Sequence, residues 1–344
     1  MRWDDVNARA VGLATHLLRR EQLLRLLESG TWLAAVRRIL DFGVPIDPAA
    51  AGSPGEFDRA IGRVTARRLA ILDRWLGPRR AALAVVYEDE DRRSLRVLLR
   101  GAAHGAAPTE RLRALVPTPG LPERALARLA QAASPDALIR ELTRQGHPAG
   151  RALAEAARRA ERDGTAVGRG LFGLETALAR SFATRATRAA RAGGRLLREF
   201  AAAIIDRENA WSLLTAAGWA ADVAPDEVFL PGGRQLSEDE FRRIAAHGDA
   251  DRIRDRLAVA LSAGPLAPAF ADRAAPMAAL ESRTAAALQT WFRALGRRDP
   301  LGPGVLFGAI ERIRAEAHDL RLVLGGLAMG ATTASVEPLL VTTS

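Results

Sequence analysis

The sequence predicts an all-α fold, and three observations support that prediction. Alanine, leucine and arginine dominate the 344 residues, and all three residue types favour helix. Aromatic residues make up only 5% of the chain, with a single tyrosine, which weighs against a β-sandwich. Apolar residues recur at helical spacing between short segments rich in glycine and proline, so the chain should consist of many helices joined by turns.

The first third of the chain predicts four helices. Apolar residues step at helical spacing through 4–28, and Thr31 can cap a second helix that ends near Gly43. A loop rich in proline and glycine precedes a long helix over 56–76. A further helix is expected over 79–100, before a glycine-rich break that ends at Pro108.

The middle third begins at Thr109 and predicts another set of helices. Pro135 follows Ser134 and marks a helix start, because proline suits the first helical turn. Long amphipathic segments then follow, and their expected ranges are 149–162, 171–192 and 195–217.

The last third opens with a connector over 226–236, which is the only segment with the pattern of a short hairpin. Ser237 and Glu240 then fit a capping box, in which a serine at the helix start is followed by glutamate three residues later. The tail after Gly330 is small and polar, so we expect it to be loose. The helices predicted between them lie near 237–261, 273–295 and 303–328.

One short motif occurs three times, late in three of these helices. An acidic residue is followed three positions later by serine, asparagine or aspartate, so the two side chains share a helix face. The motif can serve inter-helix packing or contact with a partner protein. Its polar positions are Asp91 and Ser94, Asp206 and Asn209, and Glu316 and Asp319.

The first residues of the three copies lie 115 and 110 positions apart, a spacing that corresponds to one small domain. We therefore predict a triplicated helical unit with repeats at 1–108, 109–225 and 226–344, the last including the loose tail. Three similar units around a pseudo-threefold axis would form a funnel with a central opening. Helical solenoids have shorter periods of about 20–50 residues, which disfavours that architecture.

The charge balance favours an acidic partner. The formal net charge is +10 and the pI is about 11.3, and all 50 basic residues are arginine. Nucleic acid, an anionic membrane face and an acidic protein surface all fit such a balance. Nucleic acid is the weaker alternative, because the arginine pairs are interleaved with acids and lack stacking aromatic residues. The pairs are Arg67-Arg68, Arg79-Arg80, Arg92-Arg93, Arg158-Arg159 and Arg242-Arg243.

Catalytic and cofactor signatures are weak throughout the sequence. The absence of cysteine excludes disulfides and thiolate metal sites, and the absence of lysine excludes a Walker phosphate loop. The five histidines are scattered, with no pair at a metal-binding spacing. Gly168–Gly173 matches the dinucleotide fingerprint, but a charged helix precedes it instead of a strand. We predict no enzyme activity, no cofactor and no metal, and no apolar stretch is long enough to span a bilayer.

Several segments in the same order resemble one known family. The motif copies at 206–209 and 316–321 have its acidic-x-x-Asn-Leu-Arg character, although Ser94 replaces asparagine in the first copy. Gly146-His147-Pro148, the connector Phe229–Arg234 and Asp299–Gly302 also match. The chain resembles the C subunit of bacterial and archaeal V/A-type rotary ATPases, which is similar to the d subunit of the eukaryotic enzymes.

The resemblance implies a helical funnel of three subdomains that works as a rotor adaptor without chemistry of its own. Its wide mouth would receive the central shaft, subunits D and F, and its base would stand on the membrane proteolipid ring. It would transmit torque between ATP turnover and ion transport as a peripheral protein at the cytoplasmic face of the cell membrane. A helical scaffold and a basic nucleic-acid-binding protein remain the alternatives.

Overall fold

A computed structural model gives the fold of five segments of the chain. The described residues are 3–164, 167–192, 194–216, 225–272 and 276–342. They contain helices, turns and loops without a β-strand, so the predicted all-α class is confirmed.

Groups of shorter helices are each followed by two long helices. The first half of the chain contains α1 (Asp4–Ala14), α2 (Arg20–Leu27), α3 (Trp32–Asp41), α4 (Pro54–Leu76), α5 (Ala81–Ala103), α6 (Pro108–Arg111), α7 (Glu123–Ala130), α8 (Pro135–Arg144) and α9 (Pro148–Arg162). The second half contains α10 (Val167–Ala192), α11 (Gly194–Ala216), α12 (Pro225–Val228), α13 (Glu238–Ala245), α14 (Ala250–Ala260), α15 (Ala267–Phe270), α16 (Met277–Arg298), α17 (Gly304–Ala328) and α18 (Thr333–Val336). Short 3-10 helices occur at Pro48–Gly52, Gly77–Arg79 and Glu337–Leu339.

The chain divides into two compact units, Met1–Gly77 with Leu261–Ser344, and Pro78–Ala260. In the first unit α17 packs against α16, α1, α4, α2 and α3. Its core includes Leu23, Phe57 and Leu320, which are all buried. The interior of this unit therefore combines helices from both ends of the sequence.

The second unit is continuous in sequence. Helix α10 packs against α5, α9 and α11, while α8 packs against α9 and α5. Its core contains leucines from five different helices, including Leu98, Leu129, Leu142, Leu153 and Leu178. Burial of these apolar side chains is the main favourable contribution to folding of this unit.

Helix lengths recur in the same order along the described part of the chain. An eight-residue helix appears as α2, α7 and α13, and a helix of 10 or 11 residues follows as α3, α8 and α14. Two long helices complete each series, after the additional helices α9 in the second series and α15 in the third. They have 22–26 residues in α4, α10 and α16 and 23–25 in α5, α11 and α17. The predicted repeat boundaries at 108 and 225 stay predictions.

Local capping sets several helix starts as the sequence predicts. Thr31 accepts a hydrogen bond from the Ala34 N–H at the start of α3, and Ser134 and Ser237 cap α8 and α13 in the same way. Such side-chain acceptors satisfy backbone donors that have no partner within the first helical turn. Pro135 occupies the first position of α8, as predicted.

Two predicted helices are each broken into two. Residues 4–28 form α1 and α2, because Leu18 turns inward and its backbone N–H donates to the buried Glu316 carboxylate. Residues 237–261 form α13 and α14, and Gly248 has a φ of 65° in the turn between them. Both predictions of one continuous helix are therefore wrong.

The connector over 226–236 is not a hairpin. Its first residues form α12, and the rest is a loop held by side chains of α11, so a strand partner is not needed for its backbone groups. The tail after Gly330 also differs from the expected loose segment. It forms α18 and a 3-10 turn, and Leu340 and Val341 are buried.

The glycine-rich fingerprint at Gly168–Gly173 lies inside α10. A dinucleotide site needs these glycines in a turn between a strand and a helix. The helical conformation therefore gives them no phosphate-binding role.

Candidate functional site

The six polar positions of the repeated motif are all buried. They lie on α5, α11 and α17, each the second long helix of its series. Their exposed fractions range from 0% to 5%, and the residues are Asp91, Ser94, Asp206, Asn209, Glu316 and Asp319. Burying a charged or polar group is costly unless it is hydrogen-bonded, so the partners of these side chains define the site.

In the second copy, Asp206 binds three successive backbone N–H groups. Its Oδ2 accepts from Arg234 at 2.9 Å and from Gln235 at 3.0 Å, and its Oδ1 accepts from Leu236 at 3.1 Å. Gly233 stands so close to this carboxylate that any side chain there would overlap it. The carboxylate thereby fixes the loop immediately before α13.

Asn209 binds the same loop one turn further along α11. Its Nδ2 donates to the Leu230 carbonyl at 2.9 Å, and its Oδ1 accepts from the Leu230 N–H at 2.8 Å. An amide side chain presents a donor and an acceptor side by side, as an adjacent strand would. Asn209 therefore satisfies both backbone groups of Leu230, which is itself fully buried.

In the first copy, Asp91 binds side chains instead of backbone groups. Thr118 donates its hydroxyl to Oδ1, and His147 Nε2 lies 3.3 Å from Oδ2. His147 Nδ1 accepts from the Ala149 N–H, so the ring proton is placed on Nε2, where it can be donated to Asp91. Thr118 also accepts from the Leu121 N–H at 2.9 Å, which fixes the loop before α7.

In the third copy, the two acidic residues bind the two ends of the chain. Glu316 accepts from the Leu18 N–H at 2.7 Å and pairs with the buried Arg68. Asp319 accepts from the N–H groups of Val341 and Thr342, both at 2.8 Å. The Leu18 contact fixes the turn before α2, and the Asp319 contacts fix the C-terminal segment.

The three copies share one arrangement. In each, the first acidic residue of the motif binds the segment that leads into an eight-residue helix, which is α7 for Asp91, α13 for Asp206 and α2 for Glu316. We call these three side chains the anchoring carboxylates. Sequence reasoning identified them but missed their partners Thr118 and His147, for which the flanking Thr-Pro-Gly and Gly-His-Pro segments were the available signals.

Burial shifts the pKa of two motif carboxyls. It raises the pKa of Asp206, and the three backbone donors oppose that rise. Burial likewise raises the pKa of Asp319, and the hydrogen bonds from Val341 and Thr342 act in the opposite direction by lowering it. Both carboxyls are thus held where water cannot solvate them, and their charge depends on the bonds to the loops.

A buried ion-pair network lies next to the motifs in the second unit. Arg92, with 1% of its side chain exposed, bonds Asp89 at 2.7 Å and Glu208 at 2.8 Å. Arg92 also lies over the Phe182 ring, 5.3 Å from its centre. Burial alone would raise the pKa of Glu208, but the charges of Arg92, Arg96 and Arg207 outweigh it and lower the pKa to about 2.

This network changes the interpretation of the arginine pairs. Arg92 of one pair and Arg68 of another are buried against carboxylates, so they cannot reach the phosphates of a nucleic acid. Arg158 and Arg159 are exposed on α9. The pairs therefore do not form one continuous basic surface for nucleic acid.

In the part of the chain that the structure describes, histidine and acidic residues do not gather in any group of three or more that could hold a metal ion. In the same residues no helix combines the length and apolar character needed to cross a membrane.

Comparison with known proteins assigns the chain to a family. The family model described as ATP synthase (C/AC39) subunit matches residues 6–337, which include all three motif copies. The chain belongs to this family. The C subunit of the V-type ATP synthase from two strains of Thermus thermophilus is 29% identical over 291 residues, covering 84% of this chain and 83% of each relative. The family resemblance inferred from the sequence is therefore confirmed.

Proposed function

We propose that this chain is the non-catalytic rotor adaptor of a V/A-type ATPase or ATP synthase. It seats the central shaft, subunits D and F, on the membrane proteolipid ring and transmits torque for ion transport. It works at the cytoplasmic face of the cell membrane without a span of its own. The observation that carries the proposal is the family match over residues 6–337, together with relatives named as the C subunit of V-type ATP synthase.

We propose that the adaptor consists of three helical repeats, at 1–108, 109–225 and 226–344, arranged as a funnel around a central opening. Two related periodicities support a threefold repeat. The motif recurs 115 and 110 residues apart, and the order of helix lengths recurs with it. A central opening would give the end of a shaft a place to sit.

We propose that the six motif positions act by packing instead of by direct partner contact. The anchoring carboxylates connect long helices to the loops before short ones through hydrogen bonds to a charged acceptor, which are about twice as strong as neutral ones. Interiors packed at crystal-like density have low compressibility and transmit strain. A body whose loops are held in this way would pass torque between shaft and ring with little internal yielding.

Co-purification tests the adaptor role directly. The tagged chain is incubated with the D–F subcomplex and, separately, with the proteolipid ring in detergent. We expect it to elute with both, at physiological salt. Recovery of neither subcomplex would overturn the adaptor role, and retention on DNA with the same salt resistance would favour the nucleic-acid alternative.

Torque transmission is tested in the reconstituted complex with Asp206→Asn. We expect ATP-driven ion uptake to fall relative to ATP hydrolysis, because the loop before α13 is no longer held by a charged acceptor. Asp239→Asn is the matched control, because the Asp239 side chain lies on α13 and is 84% exposed. Equal coupling in both variants and the parent complex would refute the mechanical role of the anchoring carboxylates.

A further inference from the structure

A cleft in the second unit concentrates positive charge. It has a volume of about 240 Å³ and lies where the last turns of α10, the first turns of α11 and the loop before α13 meet. Its polar lining consists of four arginines, one glutamate and the Thr187 hydroxyl. The arginines are Arg191, Arg195, Arg198 and Arg234.

The charge of this lining differs from that of the chain as a whole. The chain has 50 basic and 40 acidic residues, so most of its arginine charge has an acidic counterpart. Of the described residues that line the cleft, Glu199 is the one carboxylate, which gives these residues a net charge of +3. Arg195 and Arg234 both approach Glu199, at 3.8 and 3.4 Å. Among the described residues, neither Arg191 nor Arg198 forms an ion pair.

Exposed arginines from three segments of the chain line this one cleft. Arg195 and Arg198 are three residues apart on α11, so they share a helix face, while Arg191 and Arg234 come from the segments on either side. The floor is formed by small side chains, Ala190, Ala201 and Ala202. Small residues at the floor leave room for a ligand group between the arginines.

We propose that this cleft binds a phosphate group. Several guanidinium forks can bond the terminal oxygens of one phosphate at once, whereas a carboxylate offers only two oxygens. Among the described residues, none of those that line the cleft has an aromatic side chain on which a nucleobase could stack, so the proposed recognition is of the phosphate and not of a base. The phosphate comes from a soluble phosphate compound or from the headgroup of an acidic phospholipid. The site is independent of the adaptor function proposed above.

The two sources are distinguished with two probes on the full chain. Calorimetry with inorganic pyrophosphate at low salt measures soluble phosphate binding, and co-sedimentation with phosphatidylglycerol vesicles, against phosphatidylcholine vesicles, measures headgroup binding. The double variant Arg191→Gln/Arg198→Gln removes two guanidinium groups from the cleft. The matched control Arg158→Gln/Arg159→Gln removes the same charge from the exposed face of α9. Circular dichroism verifies that both variants keep the helical fold.

We expect the cleft variant to weaken binding of at least one probe by about 100-fold, roughly tenfold for each charge-assisted bond lost. The control should remain within about twofold of the parent chain, because Arg158 and Arg159 do not line the cleft and cannot bond a ligand there. Loss in the pyrophosphate arm assigns a soluble ligand, and loss in the vesicle arm alone assigns a lipid headgroup. Equal losses in both variants, absence of binding in both arms, or equally tight binding of a glutamate-rich peptide would overturn the phosphate site.

Discussion

Replacing Asp206 by asparagine tests how strongly an anchoring carboxylate holds its loop. The substitution keeps the shape of the side chain but leaves one acceptor oxygen where the parent has two. If that oxygen accepts from Arg234 and Gln235, the new NH₂ group faces the N–H of Leu236. Leu236 is buried, with 1% of its surface exposed, so its N–H would be left without an acceptor.

The magnitude follows from three contributions. A buried donor without a partner costs about 2 kcal/mol, and changing the acceptor of the other two bonds from charged to neutral costs about 1 kcal/mol more. Removing a buried charge returns part of this cost, because burial raises the pKa of Asp206 and thus disfavours its ionised form. The net destabilisation is about 2 kcal/mol, which corresponds to a roughly 30-fold increase in opening of the loop.

Hydrogen exchange measured by mass spectrometry reads this opening locally. We expect the amides of 234–236 to exchange roughly 30-fold faster in Asp206→Asn, while the core helices of the other unit keep their protection. Asp239→Asn makes the same chemical change at an exposed position and should leave the loop unchanged. Unaltered exchange in Asp206→Asn, or equal acceleration in the control, would refute the anchoring role.

Three further predictions concern stability and are measured by urea unfolding of each variant. Glu208→Gln should cost about 2–3 kcal/mol of unfolding free energy, because the buried Arg92 loses one of its two carboxylates. The folded pKa of Glu208 is about 2 against an ordinary 4.5, so its contribution to stability is present above pH 4.5 and is lost as the pH falls towards 2. The stability of the variant should therefore change less with pH than that of the parent chain between pH 4.5 and 2. Asn209→Leu should cost about 3 kcal/mol, because both backbone groups of Leu230 lose their partners. Gly173→Ala should stabilise the chain by about 1 kcal/mol, because the position is helical and a Cβ there meets open space. A destabilised variant would contradict the helical, unobstructed surroundings of Gly173.

The sequence was a good guide wherever local physics decides the structure. Thr31 and Ser237 predicted helix starts that the structure contains, because capping depends on residues only three positions away. The single helix over 4–28 was wrong because its break depends on Glu316, which is 298 residues from Leu18 in the chain. A periodic apolar pattern carries no information about such a distant acceptor.

In the candidate site, too, the sequence predicted the local features but not the contacts with distant residues. The spacing of acidic and polar residues located Asp206 and Asn209, because helix geometry places residues three apart on one face. Their partners are backbone groups, which have no side-chain signature, so the loop they bind was mistaken for a hairpin. One available signal was a Pro-Gly pair in two of the loops that the carboxylates bind. One pair ends at Gly120, in the loop that Asp91 binds, and the other ends at Gly232, in the loop that Asp206 binds.

The adaptor account is tested most directly by electron cryomicroscopy of the complex assembled from this chain, subunits D and F, and the proteolipid ring. The account predicts that the chain occupies the rotor axis, with its three repeats around the end of the shaft and its base on the ring. Density for the chain outside that axis, or a shaft that meets the ring without it, would contradict the account.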